Sequence, residues 1–294
     1  MMIARLQRWL VLASLLIAAL WARYWWSDSP TIALLGLCVL FFGHSAFLAI
    51  EFFASYRIGE SDPIPRASPR QYVRAWLAEC RAAPRVFCWQ QPFRSRAIPD
   101  QLARDGRRGA VLIHGFVCNR GFWNPWLREL QADGRAFVAV DLEPPFGSID
   151  NYVRTIDEAV VRVTAATGRP PLLICHSMGG LAARAWLREA DGMRAHRIVT
   201  IATPHKGTWL ARFGRTTNGR EMRMGGEWLQ KIGAEKVTVR QVPFTCWYSN
   251  SDNIVFPPSV ATLPEADNRL VAGRGHVELA FVERLRRETL SLLD

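Results

Sequence analysis

The chain has 294 residues, 49% of them hydrophobic and 12 of them tryptophan, which excludes a disordered polymer and leaves room for one large domain plus an appendage. Its formal charge of +11 rests almost wholly on arginine, since the lysines are Lys206, Lys231 and Lys236. The arginines are dispersed rather than interleaved with aromatics along one helix, which argues against a nucleic-acid binder and for attraction to an anionic membrane surface.

Two apolar runs open the chain. Residues 9–26 are broken only by Ser14 and Arg23, and residues 31–50 carry His44 but no charge. Each is close to the roughly 20 residues a helix needs to cross about 30 Å of hydrocarbon. With the turn Ser27-Asp28-Ser29-Pro30 between them, they predict a transmembrane helical hairpin within an anchor spanning residues 1–53. Arg5 and Arg8 precede the first span, while Arg57, Arg66, Arg70 and Arg74 follow the second, so both ends belong on the cytoplasmic side. Arg23 can snorkel to the interface beside Tyr24, Trp25 and Trp26, and His44 is read as a neutral histidine packed between the two helices. The rival is a cleaved signal peptide ending near Ala18-Ala19-Leu20-Trp21-Ala22, which would make the protein periplasmic or secreted. The second apolar run opposes it.

Residues 54–84 form a linker marked by Pro63, Pro65 and Pro69, with a helix from Pro69 to about Ala82. A strand around Arg85 to Gln91 is expected as an early, antiparallel member of a sheet. From Gly109 onward strands and helices alternate, the pattern of an α/β domain with a mostly parallel sheet. Strands are predicted at Ala110–Ile113, Ala136–Val140, Leu172–Cys175, Ile198–Ala202, Phe244–Tyr248 and Arg269–Ala272. Helices fall at Trp123–Gln131, Ile149–Ala166, Met178–Glu189 and Val277–Leu293. Residues 209–235 lapse into a polar, Gly- and Arg-rich stretch with Trp209, Phe213, Met222, Met224 and Trp228. It reads equally as a lid or as an insertion with its own small core.

One stretch stands out chemically. In Leu172-Leu173-Ile174-Cys175-His176-Ser177-Met178-Gly179-Gly180-Leu181 an apolar strand runs into a small-residue turn carrying a serine, and a helical pattern follows at once. That is the strand–turn–helix context of a nucleophile elbow, which holds the Ser177 hydroxyl clear of its own backbone. The Met178 N–H then lies at a helix N-terminus, aimed where an oxyanion would develop.

Here the chain resembles the α/β-hydrolase superfamily, and within it bacterial triacylglycerol lipases and esterases. The motifs are His114-Gly115-Phe116, Cys175-His176-Ser177-Met178-Gly179-Gly180 and Thr203-Pro204-His205-Lys206-Gly207-Thr208. The chain departs from the G-x-S-x-G elbow at its first glycine, where Cys175 stands. The resemblance implies a hydrolase fold, helices on both faces of a mostly parallel sheet, over residues 85–294. It implies the Phe116 N–H as a second oxyanion donor beside Met178, and reads His205 as structural. The segment Ser249-Asn250-Ser251-Asp252-Asn253-Ile254-Val255 resembles the acid loop of these lipases and points to Asp252, with Asp267 a distant second. The base is expected in the Gly-flanked loop before the last helix, at His276, which gives the superfamily order Ser177, Asp252, His276. Phe116, Phe122, Trp123, Trp126 and Phe146 come from loops near the expected mouth; Phe122, Trp123 and Phe146 are the candidate acyl-pocket residues.

The implied activity is that of a serine hydrolase acting on hydrophobic or lipid esters at a bacterial inner membrane. A thioesterase, amidase or acyltransferase would use the same residues, and a catalytically silent membrane scaffold would keep the fold. No cofactor is expected: phosphate-loop, zinc and dinucleotide signatures are missing, and the six cysteines lack metal-ligand spacing and suit a reducing compartment. The secreted lipases of this kind often hold a structural calcium, but Glu278 beside His276 has no partner carboxylate in the sequence, so calcium is not expected.

Overall fold

The computed structural model describes residues 1–190, 192–234 and 242–294. Its sheet is built from the apolar runs that parallel strands require, because both faces are covered. The strands are β1 (Ala110–Ile113), β2 (Phe137–Ala139), β3 (Leu172–His176), β4 (Arg197–Ile201), β5 (Phe244–Tyr248) and β6 (Asp267–Leu270). They lie in the order β2-β1-β3-β4-β5-β6, with every neighbouring pair parallel. All positions of β1, β2, β3 and β5 are buried. The edge strand β6 instead presents Asp267 and Arg269, charges that discourage further pairing.

The crossovers supply helices to both faces. Among them are α5 (Asn124–Ala132), α6 (Val153–Thr167) and α7 (Met178–Glu189). One core joins Val111, Ile113, Leu173 and Cys175 to Ile156, Val160, Leu181 and Trp186. The other joins Leu112, Ile174, Ile201 and Trp247 to Phe122, Trp123, Trp126 and Leu127. Cys175, the departure from the elbow pattern, is fully buried in the first core. Residues 209–234 form a 3-10 turn at Trp209–Phe213, then α8 (Thr217–Glu221) and α9 (Glu227–Ala234). Met222, Leu229 and Ile232 are buried against the Trp186 side of the core. Glu235, the last residue of the expected lid, lies outside the described residues.

The N-terminal appendage runs to residue 84 and opens with α1 (Met2–Trp25) and α2 (Pro30–Ile58), both long and apolar enough to cross a membrane by length and composition. Ser29 caps α2 through the Ile32 N–H, and the Trp21 indole donates to the Ile32 carbonyl across the hairpin. Trp9, Val39, Phe42 and Ile50 face outward, more than 60% exposed. Helix α2 runs eight residues past the expected span and ends against the sheet domain. Helix α3 (Pro69–Pro84) begins with a Ser68/Gln71 capping box and lies along α2, where the Trp76 indole donates to the Ser45 carbonyl. His44 meets α3 rather than α1, with Nε2 3.2 Å from the Cys80 carbonyl oxygen.

Two expectations fail for local reasons. Residues Arg85–Gln90 are a π-helical turn leading into α4 (Gln91–Arg94), not a strand. Buried Val86 and Gln90 stand four apart, which is helical spacing, so the run of apolar types carried a misleading period. The closing helix is split into α10 (His276–Leu279) and α11 (Glu283–Leu290), followed by a 3-10 turn at Ser291–Leu293. At the break the Trp126 indole takes the Ala280 carbonyl, which a continuous helix would have used. Strand β6 also starts two residues earlier than expected.

Arg120 ties the loops at the β2 edge together. Its guanidinium donates to the carbonyls of Ser95, Ile98 and Ala139 and pairs with Asp100 at 2.8 Å, while the side chain is 9% exposed. Arg120→Ala strips these acceptors of their donor, and the expected loss is about 3 kcal/mol in denaturant unfolding. A loss below about 0.5 kcal/mol would place it with ordinary surface substitutions and refute this role.

Candidate active site

The site forms where the loops after β1, β3, β4, β5 and β6 converge at the carboxyl ends of the strands. Ser177 occupies the turn between β3 and α7 with φ 52° and ψ −127°, a left-handed backbone that a serine adopts only when its surroundings fix it. Its N–H donates to the Ile201 carbonyl at 2.8 Å, and its own carbonyl accepts from the Thr203 hydroxyl at 2.9 Å and the Gly180 N–H at 3.0 Å. At Gly179 a Cβ would fall on the carbonyl oxygens of Ile113 and His114, so the helix can leave the strand this closely only from a glycine.

Asp252 and His276 lie side by side. The His276 Nδ1 lies 3.1 and 3.0 Å from the two carboxylate oxygens of Asp252. Asp252 Oδ1 also accepts the Ile254 and Val255 N–H groups, each at 2.8 Å, which fixes the carboxylate. Nδ1, facing the carboxylate, therefore carries the proton in the neutral ring, and Nε2 is left as its acceptor nitrogen. Burial alone pulls the His276 imidazole down. The charge and hydrogen bond of Asp252 outweigh it, with Glu79 and Glu51 adding to the effect, and the net position is above the ordinary histidine value. His276 meets the elbow through His176, whose Nε2 donates to the His276 carbonyl at 3.2 Å, and the two rings lie 4.7 Å apart. In this conformation the Ser177 hydroxyl makes no hydrogen bond to the imidazole among the described residues, a bond that in hydrolytic sites often closes only with substrate. Asp267, the other candidate acid, opens β6 and pairs with Arg269 at 2.7 Å.

Met178 begins α7 and is buried, while Phe116 follows Gly115, where a Cβ would come within 2.8 Å of the Ser177 Cβ. The two candidate oxyanion donors thus flank the serine. His114 holds the Phe116 loop: Nε2 accepts the Leu142 N–H at 3.1 Å and Nδ1 donates to the Gly115 carbonyl at 2.9 Å. Burial lowers His114 and takes His176 and His205 well below the ordinary value, so all three act as neutral, structural rings.

The pocket expectations divide. Phe122 and Trp123 are fully buried, because the 3-10 turn Arg120–Trp123 points them into the core, where Phe122 stacks on His176 at 4.4 Å. They support the elbow from behind and do not line an open mouth. Phe146 is 41% exposed and meets Phe116 edge to face at 5.9 Å, so it does sit on the surface beside the oxyanion loop. Glu278 is ion-paired with Arg274.

The sequence reading missed three residues that hold the acid and histidine loops, all ahead of the sheet domain. Ser55 donates to the Asp252 carbonyl at 2.7 Å, and Glu51 accepts from Asn253 Nδ2 at 2.7 Å. Asn253 Oδ1 accepts the His276 N–H at 3.1 Å. Glu79 accepts the Val277 and Glu278 N–H groups, each at 2.9 Å, and is 1% exposed. Burial pushes Glu79 up to about 7 against the pull of its two backbone donors and His276. One signal was available: Tyr72, Ala75 and Glu79 share the buried face of α3, and a carboxylate in an apolar stripe needs a partner.

Gly179→Ala would press a methyl group into the β1 backbone, with an expected cost of about 1–3 kcal/mol in denaturant unfolding. Wild-type stability in that variant would contradict the close packing described.

A family model described as the alpha/beta hydrolase family matches residues 110–287. Among solved structures, a mature-form lipase of Bacillus licheniformis superposes with a TM-score of 0.58 and 16% identity, over 66% of this chain and 95% of that one. A lipase B of Aspergillus fumigatus superposes with a TM-score of 0.50 and 17% identity, over 61% of this chain and 46% of that one. No curated protein sequence gives a significant match. At such identities the likeness is one of fold, but the family model spans more than half of the chain, and the protein belongs to the alpha/beta hydrolase family.

Proposed function

We propose that the protein is a membrane-anchored serine hydrolase that cleaves hydrophobic or lipid esters through an acyl-enzyme. The observation that carries this reading is a serine held at φ 52° in a strand–turn–helix elbow beside a buried Asp252–His276 pair. In the mechanism His276 Nε2 takes the hydroxyl proton of Ser177 as Oγ attacks the ester carbonyl. The Phe116 and Met178 N–H groups receive the developing oxyanion. Collapse expels the alcohol, which takes the proton from His276, and water activated by the same ring hydrolyses the acyl-enzyme.

The choice of a lipid-like substrate is supported by where the anchor meets the site. The amino end of α1 touches the oxyanion loop, with Gln7 Nε2 donating to the Val117 carbonyl at 3.2 Å. The carboxyl end of α2 touches Asp252 through Ser55. Both helices therefore leave from the rim of the site, which would set its mouth against the bilayer surface where hydrophobic esters collect. The fold relatives named above are lipases, which agrees with this reading. The arginine distribution favours the cytoplasmic face of a bacterial inner membrane.

Detergent-solubilised protein is expected to hydrolyse p-nitrophenyl esters, with activity rising from short to long acyl chains. Ser177→Ala should lower that activity by at least about 10³-fold. Equal activity in the two proteins would remove Ser177 as the nucleophile. The pH dependence has a definite sign. A base must be neutral, and His276 is held above its ordinary value of 6.5, so kcat/KM should fall as pH drops through a midpoint above 6.5. In Asp252→Asn the charge that holds His276 up is gone, and the midpoint of the residual activity should move to lower pH. An unmoved midpoint would separate Asp252 from the base.

A further inference from the structure

The N–H groups of His276, Val277 and Glu278 follow one another at the loop that carries the base, and among the described residues the sheet domain itself supplies an acceptor for only the first of them. Asn253 Oδ1 takes the His276 N–H, and Asn253 is in turn held by Glu51 of α2. The other two N–H groups go to the two oxygens of Glu79, Val277 to Oε1 and Glu278 to Oε2. Both acceptor carboxylates come from the N-terminal appendage, which the family model does not cover. A Cβ at Gly275 would lie 2.6 Å from Glu79 Oε2, so the loop is shaped to admit this carboxylate.

Resting on the serine-hydrolase reading above, we propose that Glu79 is a positioning residue for His276, an acceptor lent by the appendage that fixes the backbone of the base and strengthens the negative field behind it. Its role differs from that of Asp252, which bonds the imidazole directly. Glu79 touches no reacting atom. It acts on the main chain at positions one and two beyond His276, and its charge favours the imidazolium that forms when Ser177 gives up its proton. Among the described residues the charged or titratable groups around the loop are Asp252, Glu51, Glu79, His176, whose ring lies 4.7 Å from that of His276, and the Arg274–Glu278 pair. Of these, Asp252, Glu79 and Glu51 raise the His276 proton affinity.

The arrangement also gives the appendage a second task besides anchoring. Ser55, Glu51 and Glu79 together fasten both the acid loop and the histidine loop to α2 and α3, so the catalytic geometry is completed by residues that precede the sheet.

The test uses the full chain in detergent, with Ser177→Ala as the reference for the reaction itself. Glu79→Gln keeps the shape but places an amide N–H against a backbone N–H and removes the charge. It is expected to lower kcat for a p-nitrophenyl ester roughly ten- to a hundredfold with KM nearly unchanged, because misplacement acts on the chemical step. The acid limb of kcat/KM should also shift down by a fraction of a pH unit, since Glu79, held at about 7 and so partly ionised over the same range, no longer lends its charge to the imidazolium. Glu79→Asp retains the charge and should recover part of kcat and restore the limb. If Glu79→Gln lowers thermal stability while leaving the limb and kcat in place, the carboxylate is a structural acceptor and the proposal falls. If Glu79→Gln fails to fold, Glu79→Asp decides alone: an unshifted limb with reduced kcat supports positioning, and wild-type kcat overturns it. Activity surviving in Ser177→Ala would instead refute the underlying serine mechanism, an outcome separate from either of these.

Discussion

A serine with φ 52° and ψ −127° costs on the order of 1–3 kcal/mol in backbone strain, and the rest of this domain is arranged so that the strain persists. The Ile201 carbonyl holds the Ser177 N–H from β4, and Thr203 holds its carbonyl from the loop beyond. Gly179 lets α7 start against β1, and His176 is clamped between Phe122 and His276. Each tie comes from a different strand or loop, so the parallel sheet is the device that makes the strained turn affordable. The neighbouring strand ends then bring Asp252 and His276 to the same point.

The electrostatics follow from burial. Asp252 is 3% exposed and its carboxylate is satisfied by two backbone N–H groups and an imidazole, which keeps it an acceptor. His276 lies among three carboxylates and gains proton affinity, while burial prevails at His114, His176 and His205 and they lose it, at His114 even against the charges of Asp141 and Glu143. One residue type thus divides into a titrating ring and three structural ones, with the difference set by what each ring faces.

The strand–helix alternation, the elbow, the acid loop and the histidine loop were legible because each is a local pattern. An apolar run followed by Ser177 between small residues, or Asp252 among turn-forming Ser and Asn, announces its backbone within a few positions. What misled the reading was period and direction. Arg85 to Gln91 looked extended but buries Val86 and Gln90 with helical spacing, and Phe122 and Trp123 sit in a mouth-forming loop yet turn inward. Glu51 and Ser55 were invisible for a different reason, and for Glu79 the apolar stripe of α3 told of a partner without telling which one. They act across about 200 residues of chain, and no local pattern encodes an acceptor for a loop that far away.

Helix α2 is continuous over 29 residues, about 44 Å of rod at 1.5 Å per residue. On the membrane-anchored reading that exceeds a hydrocarbon layer of about 30 Å, and the surplus turns are those carrying Glu51 and Ser55. A rod that fits its bilayer poorly tilts. With no break between the lipid and Asp252, such a tilt would reach the acid loop as a displacement, so bilayer thickness would enter the geometry of catalysis as a mechanical variable.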